Sequence, residues 1–132
     1  TFLPKLTNLF QKNPDVACGL LLESKKLLEG YGIAEVSKKN SENIVIGVEE
    51  KPKKPKSNLV ILPMYIFKSN IFDALQETSN GYNKELQVTD AIGVLINKNE
   101  KVVALKMKQK WFDIGTPQRY FNALNYSYKY KH

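Results

Sequence analysis

The sequence predicts an α/β domain, with a mixed, mostly parallel sheet carrying flanking helices. Three observations predict it. Short apolar runs alternate along the chain with segments whose apolar residues fall at helical spacing. The segments Tyr31 to Val36 and Asn43 to Glu50 are β-prone and are joined by the polar stretch SKKNSE, which fits an antiparallel hairpin set into that alternation. The 132 residues are 42% hydrophobic and 25% charged, a balance that suits one globular domain with its own core and not a disordered chain.

The elements follow in order. Phe2, Leu3, Leu6, Leu9 and Phe10 share one helical face, and Pro14 and Asp15 end that first helix. Val16 to Leu22 is a nearly continuous apolar run, as expected of a strand covered on both sides. The hairpin comes next, and then KPKKPK (Lys51 to Lys56), which two prolines break into a solvated loop. Asn58 to Phe67 is strongly apolar, but Pro63 has no N–H for a ladder, so the regular strand is expected to begin near Met64 or to lie at a sheet edge. Ser69 is placed to cap a helix bearing Ile71, Phe72 and Leu75. Beyond the loop SNGYNKE, Thr89 is placed to cap another, bearing Ala91, Ile92, Val94, Leu95 and Ile96. Lys101 to Met107 and Lys110 to Asp113 read as strands, and Thr116-Pro117 opens the last helix by the cap-then-proline rule.

Composition narrows the function. No stretch approaches the roughly 20 apolar residues of a membrane span, and the start TFLPKLTNLF lacks the pattern of a signal peptide, so a cytoplasmic protein is expected. The one cysteine, Cys18, lies inside VACGLLL and reads as an inert core thiol. A net charge of +7 invites a nucleic-acid partner, yet Arg119 is the only arginine among the basic residues, and base and phosphate recognition leans on arginine's planar fork. Nucleic acid is therefore not expected. The tyrosines of the tail YSYKYKH read as one packed face of the last helix or as a fraying end.

Chemistry is narrowed the same way. With His132 as the single histidine, at the extreme terminus, neither a Ser-His-Asp nor a Cys-His arrangement can be assembled, and one Cys with one His makes no zinc cluster. Neither GxxxxGK[ST] nor GxGxxG occurs. What is left is a set of carboxylates and lysines suited to phosphoryl chemistry, in which charges are positioned around a phosphate. Asp113, Glu50 and Lys51 fall at or just past strand ends, where α/β sheets bind ligands. Each also has a plainer reading. Asp113 before Gly115 suits a tight turn, Glu50-Lys51-Pro52 an ordinary strand end, and Trp111 the core.

The ordered series YG (Tyr31-Gly32), VEEKP (Val48 to Pro52), SN (Ser57-Asn58), MYIF (Met64 to Phe67), ELQVTDAI (Glu85 to Ile92) and WFDIGTP (Trp111 to Pro117) resembles the sugar-1-phosphate nucleotidyltransferases. Within them it is most similar to the glucose-1-phosphate thymidylyltransferase and uridylyltransferase group. The resemblance implies a Rossmann-like fold and partners that are a sugar-1-phosphate and a nucleoside triphosphate (dTTP or UTP). It implies a magnesium ion (Mg2+) held by two aspartates, one of them Asp113. Lys51 would meet the sugar phosphate, while Glu50 and the Gly32 backbone would hold sugar hydroxyls. Asn58 and Tyr65 would line the sugar side, with Trp111 packed near the ligands.

The glycine-rich loop of the form GxGTRL, its following lysine and the GD pair with the second aspartate do not occur in the sequence. Residues 1–132 are thus expected to form a single partial domain, the carboxyl-terminal, sugar- and metal-binding half of a larger enzyme, inactive by itself. It would bind the missing half or copies of itself through an exposed sheet edge and apolar face. The alternative is a module of the same fold that binds a sugar phosphate without catalysis. Glycine is common where Pro63 stands and alanine where Val60 stands, so the sugar-pocket wall is expected to differ in shape.

Overall fold

A computed structural model describes residues 2–13, 17–23, 30–79, 85–107 and 110–130. Its elements run α1 (Phe2–Lys12), β1 (Ala17–Glu23), β2 (Ile33–Lys39), β3 (Glu42–Glu49), β4 (Leu59–Ile66), α2 (Asn70–Glu77), α3 (Val88–Asn97), β5 (Val102–Met107) and α4 (Pro117–Tyr130). Pro14, Asp15, most of SNGYNKE, the Cys18 side chain and His132 lie outside the described residues.

The strands close on themselves in the order β1-β4-β2-β3-β5. Only β1 and β5 pair in parallel, from Ala17↔Val102 to Leu22↔Met107; the other described pairings are antiparallel. This corrects the mostly parallel sheet read from the sequence. The helices do not alternate with the strands one for one: α2 and α3 both fall in a single connection, between β4 and β5. The β2–β3 hairpin and the return of β4 beside β1 make the rest antiparallel. Closure also removes the expected open edge among the described strands, although it rests on few residues, Ile33↔Val60 between β2 and β4, and Asn43↔Ala104 and Ile44↔Val103 between β3 and β5.

Local sequence explains the joints. Asn40 and Ser41 turn the hairpin with φ of 49° and 65°, a conformation that a two-residue turn needs and that asparagine tolerates. In β4, Tyr65 pairs with Gly19 and Leu62 with the next residue, Leu20, so Pro63 and Met64 have no partner on β1. That bulge lets a proline sit inside a strand that begins at Leu59, earlier than expected and not at an edge. Ser69 holds the N-cap position of α2 in helical geometry with no side-chain cap bond. Gln87 and not Thr89 precedes α3, and Thr89 is instead buried in the first turn. Residues 110–113 join no strand.

Two faces of the barrel are covered. On one, Ile71 and Ala74 of α2 and Ala91, Ile92 and Leu95 of α3 bury against Leu21, Ala34, Val45, Ile61, Val102 and Ala104. On the other, α1 inserts Leu6 onto Val103, both fully buried, beside Leu9, Phe10, Ile44 and Ile66. A third cluster, Ile33, Val60, Leu62 and Met107, is closed by Phe2, Tyr31 and Trp111. Asn13 Nδ2 donates to Glu42 Oε1 at 2.9 Å, and Lys101 Nζ donates to Glu42 Oε2 at 2.8 Å, tying the end of α1 to the starts of β3 and β5. Among the described residues no helix is long and apolar enough to cross a membrane. Large apolar side chains are exposed on α4, namely Tyr120, Phe121, Leu124, Tyr128 and Tyr130.

If α1 is held by this insertion, Leu6→Ala should cost about 2–5 kcal/mol, the usual range for emptying a buried leucine site. Urea denaturation measures it, and an unchanged midpoint would show that α1 is not docked on β5.

Candidate functional site

The site is built where the chain enters β2. Gly30 has a φ of 87°, a turn that suits glycine, and delivers Tyr31 and Gly32 to the strand. The Tyr31 carbonyl accepts the Lys51 N–H at 3.1 Å, and the Gly32 carbonyl accepts the Ile61 N–H at 2.8 Å. Two residues thus fasten the end of β3 and the middle of β4. Lys51 stands at φ 45°, a left-handed conformation that costs a side-chain-bearing residue about 1–2 kcal/mol. It lies between Glu50 and the buried Pro52. Its ammonium is 3.8 Å from Glu50 Oε1, and the glutamate side chain is 11% exposed.

Around Glu50 the walls are close. A Cβ on Gly32 would stand 2.8 Å from Thr89 Oγ1 and 2.9 Å from Glu50 Oε2, so glycine is required there by the approach of side chains and not by its own φ. Gly32, Glu50, Pro63, Tyr65, Gln87 and Thr89 line a concavity of about 300 Å3. Burial, with a smaller contribution from the Glu50 charge, pushes the Tyr65 phenol up to about 12. Its ring stacks on Phe67 at 5.3 Å, so Tyr65 is both wall and core.

A second concavity, of about 430 Å3, is lined by Tyr31, Trp111, Phe112, Asp113, Arg119 and Asn122. Asp113 Oδ1 accepts the Gly115 N–H at 2.8 Å, the bond of a side-chain turn, so the plainer reading of this residue is correct as geometry. Its other oxygen does more: Oδ2 accepts the Tyr31 hydroxyl at 3.2 Å and is paired with the Arg119 guanidinium. The Gly115 N–H, helped by the Tyr31 hydroxyl and the Arg119 charge, holds the carboxyl below the usual aspartate range against desolvation, which is second in size to the Gly115 bond. The Tyr31 phenol is raised, by burial first and by the Asp113 charge second. The Tyr31 and Trp111 rings meet edge to face at 5.8 Å, and Trp111 also closes the third core cluster.

Tyr31 therefore borders both concavities and binds Lys51 with its backbone and Asp113 with its side chain. Of the residues expected at the site, Gly32, Glu50 and Tyr65 share one concavity, Lys51 reaches it through Glu50, and Asp113 and Trp111 share the other. Asn58 is exposed and is not among the residues lining either. Sequence reasoning missed Tyr31, Thr89 and Arg119. Tyr31 stood in the YG motif but only its glycine neighbour was assigned a part. Thr89 was taken for a cap. Arg119 carried a signal of its own, as the sole arginine.

Magnesium prefers near-octahedral oxygen ligands. The described residues contain no group of three or more His, Cys, Asp or Glu able to hold a metal, and the Asp113 oxygens are already met by three donors, one of them a cation. By themselves they do not make a magnesium site.

The profile of the family described as nucleotidyl transferase matches residues 3–129. This chain belongs to that family. It is 37% identical over 98 residues to the "Bifunctional protein GlmU" of Methanocaldococcus jannaschii, covering 74% of this chain and 23% of that protein. It is 40% identical over 101 residues to the UTP--glucose-1-phosphate uridylyltransferase of Mycoplasma genitalium, covering 73% of this chain and 34% of that one. It is 30% identical over 110 residues to the glucose-1-phosphate thymidylyltransferase of Streptomyces antibioticus, covering 83% and 30%. Among solved structures, UDP-glucose pyrophosphorylase complexed with UDP-glucose superposes with a TM-score of 0.85 at 29% identity, over 95% of this chain and 48% of that one. The nucleotidyl transferase chain thus spans between about a quarter and a half of the proteins it matches.

The Tyr65 phenol gives a pH test. A folded value raised from 10.0 to about 12 means that the folded state keeps a proton the unfolded state loses, so stability is full below pH 10 and falls as pH climbs toward 12. Phenolate absorbance should lose its latest-titrating component in Tyr65→Phe. If the variant removes a component near 10 instead, Tyr65 is not enclosed as described.

Proposed function

We propose that the protein transfers a nucleotidyl group from dTTP or UTP to glucose-1-phosphate, with this chain supplying the sugar-phosphate side of the reaction. The observation that carries the reading is the Tyr31 bridge, which puts the Glu50-Lys51 pair and Asp113 around one residue in a chain of the nucleotidyl transferase family. The substrates in the names of the uridylyltransferase and thymidylyltransferase relatives support glucose-1-phosphate as acceptor.

In that reaction an oxygen of the sugar phosphate attacks the α-phosphorus; the new O–P bond forms as the bond to the β-phosphate oxygen breaks, and pyrophosphate leaves. Lys51 offers a point charge to the acceptor phosphate, offsetting repulsion between the two anionic reactants. Glu50 accepts hydrogen bonds from vicinal hydroxyls, and the Gly32 backbone holds hydroxyls beside it. Tyr65 stays a neutral phenol through the working pH range and presents a hydroxyl without adding negative charge. Trp111 packs near the ligands, on the wall it shares with Asp113. Asn58 would take part only if ligand draws it in from its exposed position. Magnesium bound at Asp113 would neutralise phosphate charge, but its remaining ligands would have to come from the substrates and from outside the described residues; none of the roles above depends on it. The exposed apolar side chains of α4 support association with further polypeptide, either the rest of the enzyme or a second copy.

Pyrophosphate release by the full-length protein with glucose-1-phosphate and each nucleotide tests the proposal. Turnover with dTTP or UTP is expected. Binding of glucose-1-phosphate without turnover would replace the transferase by a non-catalytic sugar-phosphate module. Lys51→Ala should lower kcat/KM for glucose-1-phosphate about 10- to 100-fold, the worth of one charge-assisted hydrogen bond. Asp113→Ala should lower kcat by about a hundredfold or more, as loss of an electrostatic stabiliser does. Near-normal turnover in either variant would remove that residue from the site.

A further inference from the structure

The lysine-proline loop between β3 and β4 enters the roles above only through Lys51. Residues 51–58 carry Lys51, Lys53, Lys54 and Lys56 and no acid. Both ends of the loop are pinned to the start of β2. The Lys51 N–H donates to the Tyr31 carbonyl at 3.1 Å; at the other end the Ser57 hydroxyl donates to the Ala34 carbonyl and accepts the Leu59 N–H at 3.1 Å. Between these anchors Pro52 is buried, and it and Pro55 each fix a backbone angle, so the lysines are presented at one place. Lys53 and Lys54 follow Lys51 so closely that their Cα atoms lie within roughly 7 and 11 Å of its own, the reach of an extended chain. Lys56 stands 3.9 Å from Glu35 Oε1, whereas Lys53 and Lys54 are exposed at the rim.

Resting on the reading of Glu50 and Lys51 as the sugar-phosphate side, we propose that Lys53 and Lys54 steer the anionic acceptor, glucose-1-phosphate, toward Lys51 without becoming contacts of the bound ligand. The charge order along the rim makes steering necessary. Lys51 is preceded by Glu49, which is exposed, and by Glu50, whose carboxylate is 3.8 Å from its ammonium. Without Lys53 and Lys54 an approaching phosphate would meet two carboxylates against one ammonium, a rim that repels it. With them the balance reverses, within about one screening length, which is about 8 Å at physiological ionic strength. Exposed cations of this kind raise the local concentration of an anion and speed its arrival, an effect that falls with salt. A solvated lysine at the surface adds little to the stability of the bound state, so the effect belongs to encounter.

The experiment measures kcat and KM for glucose-1-phosphate with the full-length protein at saturating nucleotide, from about 10 mM to about 1 M salt, over which the screening length falls from about 30 to about 3 Å. Lys53→Gln with Lys54→Gln should raise KM about two- to tenfold at low salt, leave kcat unchanged and converge on wild type at high salt, as loss of rim charge does. Lys53→Glu with Lys54→Glu should enlarge the effect. Lys38→Gln with Lys39→Gln removes the same charge from the far end of β2, roughly 20 Å along the strand from Ile33 at about 3.3 Å per residue, and should move KM less at about 0.1 M salt. A KM rise that persists at high salt, a fall in kcat, or equal effects of the two glutamine pairs would overturn the proposal in favour of direct contact, structural support or net charge alone. If the wild-type protein does not turn over glucose-1-phosphate, the reading of the site fails; if it does and the loop variant keeps the wild-type salt profile, only the steering proposal fails.

Discussion

Tyr31 is held at three points, which belong to two stretches of chain far apart in sequence. Its carbonyl takes the Lys51 N–H just after β3, its hydroxyl meets Asp113, 82 residues away in sequence, and its ring meets that of Trp111 edge to face. The segments so joined have little else in common: residues 110–113 are in no strand, and Lys51 is in a strained turn. A hydrogen bond from a partly buried phenol to a carboxylate is stronger than one in water, and leaving either partner unmet would cost its desolvation. The distance between the Lys51 backbone and the Asp113 carboxylate is therefore set by the rigid length of one tyrosine.

That constraint separates two electrostatic environments a single side chain apart. On the Gly32 side, burial keeps Tyr65 protonated and the charges are an adjacent Glu50-Lys51 pair. On the far side of Tyr31, donors converge on Asp113 and keep it anionic. One concavity carries a carboxylate beside an ammonium, and the other a carboxylate paired with a guanidinium. In the transfer proposed above, such a division would let the acceptor and the neutralising groups approach from different walls.

Much of the fold was legible locally. Helix positions, the existence of the β2–β3 hairpin and the apolar runs of β1, β4 and β5 follow from periodicity and turn chemistry, which depend on near neighbours, but most of SKKNSE proves to be strand and only Asn40 and Ser41 turn. Strand direction was not legible, since it depends on which runs pair, and two helices inside one connection look the same in sequence as two crossovers. Thr89 shows the same limit at the site. A threonine ahead of an apolar run is a reasonable cap, but the contact that places it is with Gly32, more than fifty residues earlier. Asn58 came from the resemblance alone, and the side chain remains exposed. Asp113 had two readings that were treated as rivals, whereas its two oxygens divide the work: one makes the turn, the other faces Tyr31 and Arg119.

Pro63 links fold to pocket in a way neither the periodicity nor the motif order expressed. A proline within a paired strand costs a ladder bond, and the chain meets that cost by leaving residues 63 and 64 off the β1 register. The bulge pushes Pro63 outward, where it lines the concavity of Glu50 and also a smaller apolar one of about 180 Å3 with Phe2, Leu62, Met107 and Trp111. Beyond it, Tyr65 regains its pairing opposite Gly19, where even a Cβ would meet the ring at ordinary contact distance, 3.7 Å from Tyr65 Cδ1. A glycine at position 63 could keep its N–H and continue the ladder; proline cannot, so the wall is displaced by the backbone itself and not by a rotamer that ligand could move. The shape of this side of the concavity is accordingly set by the strand's backbone as much as by the side chains that face it.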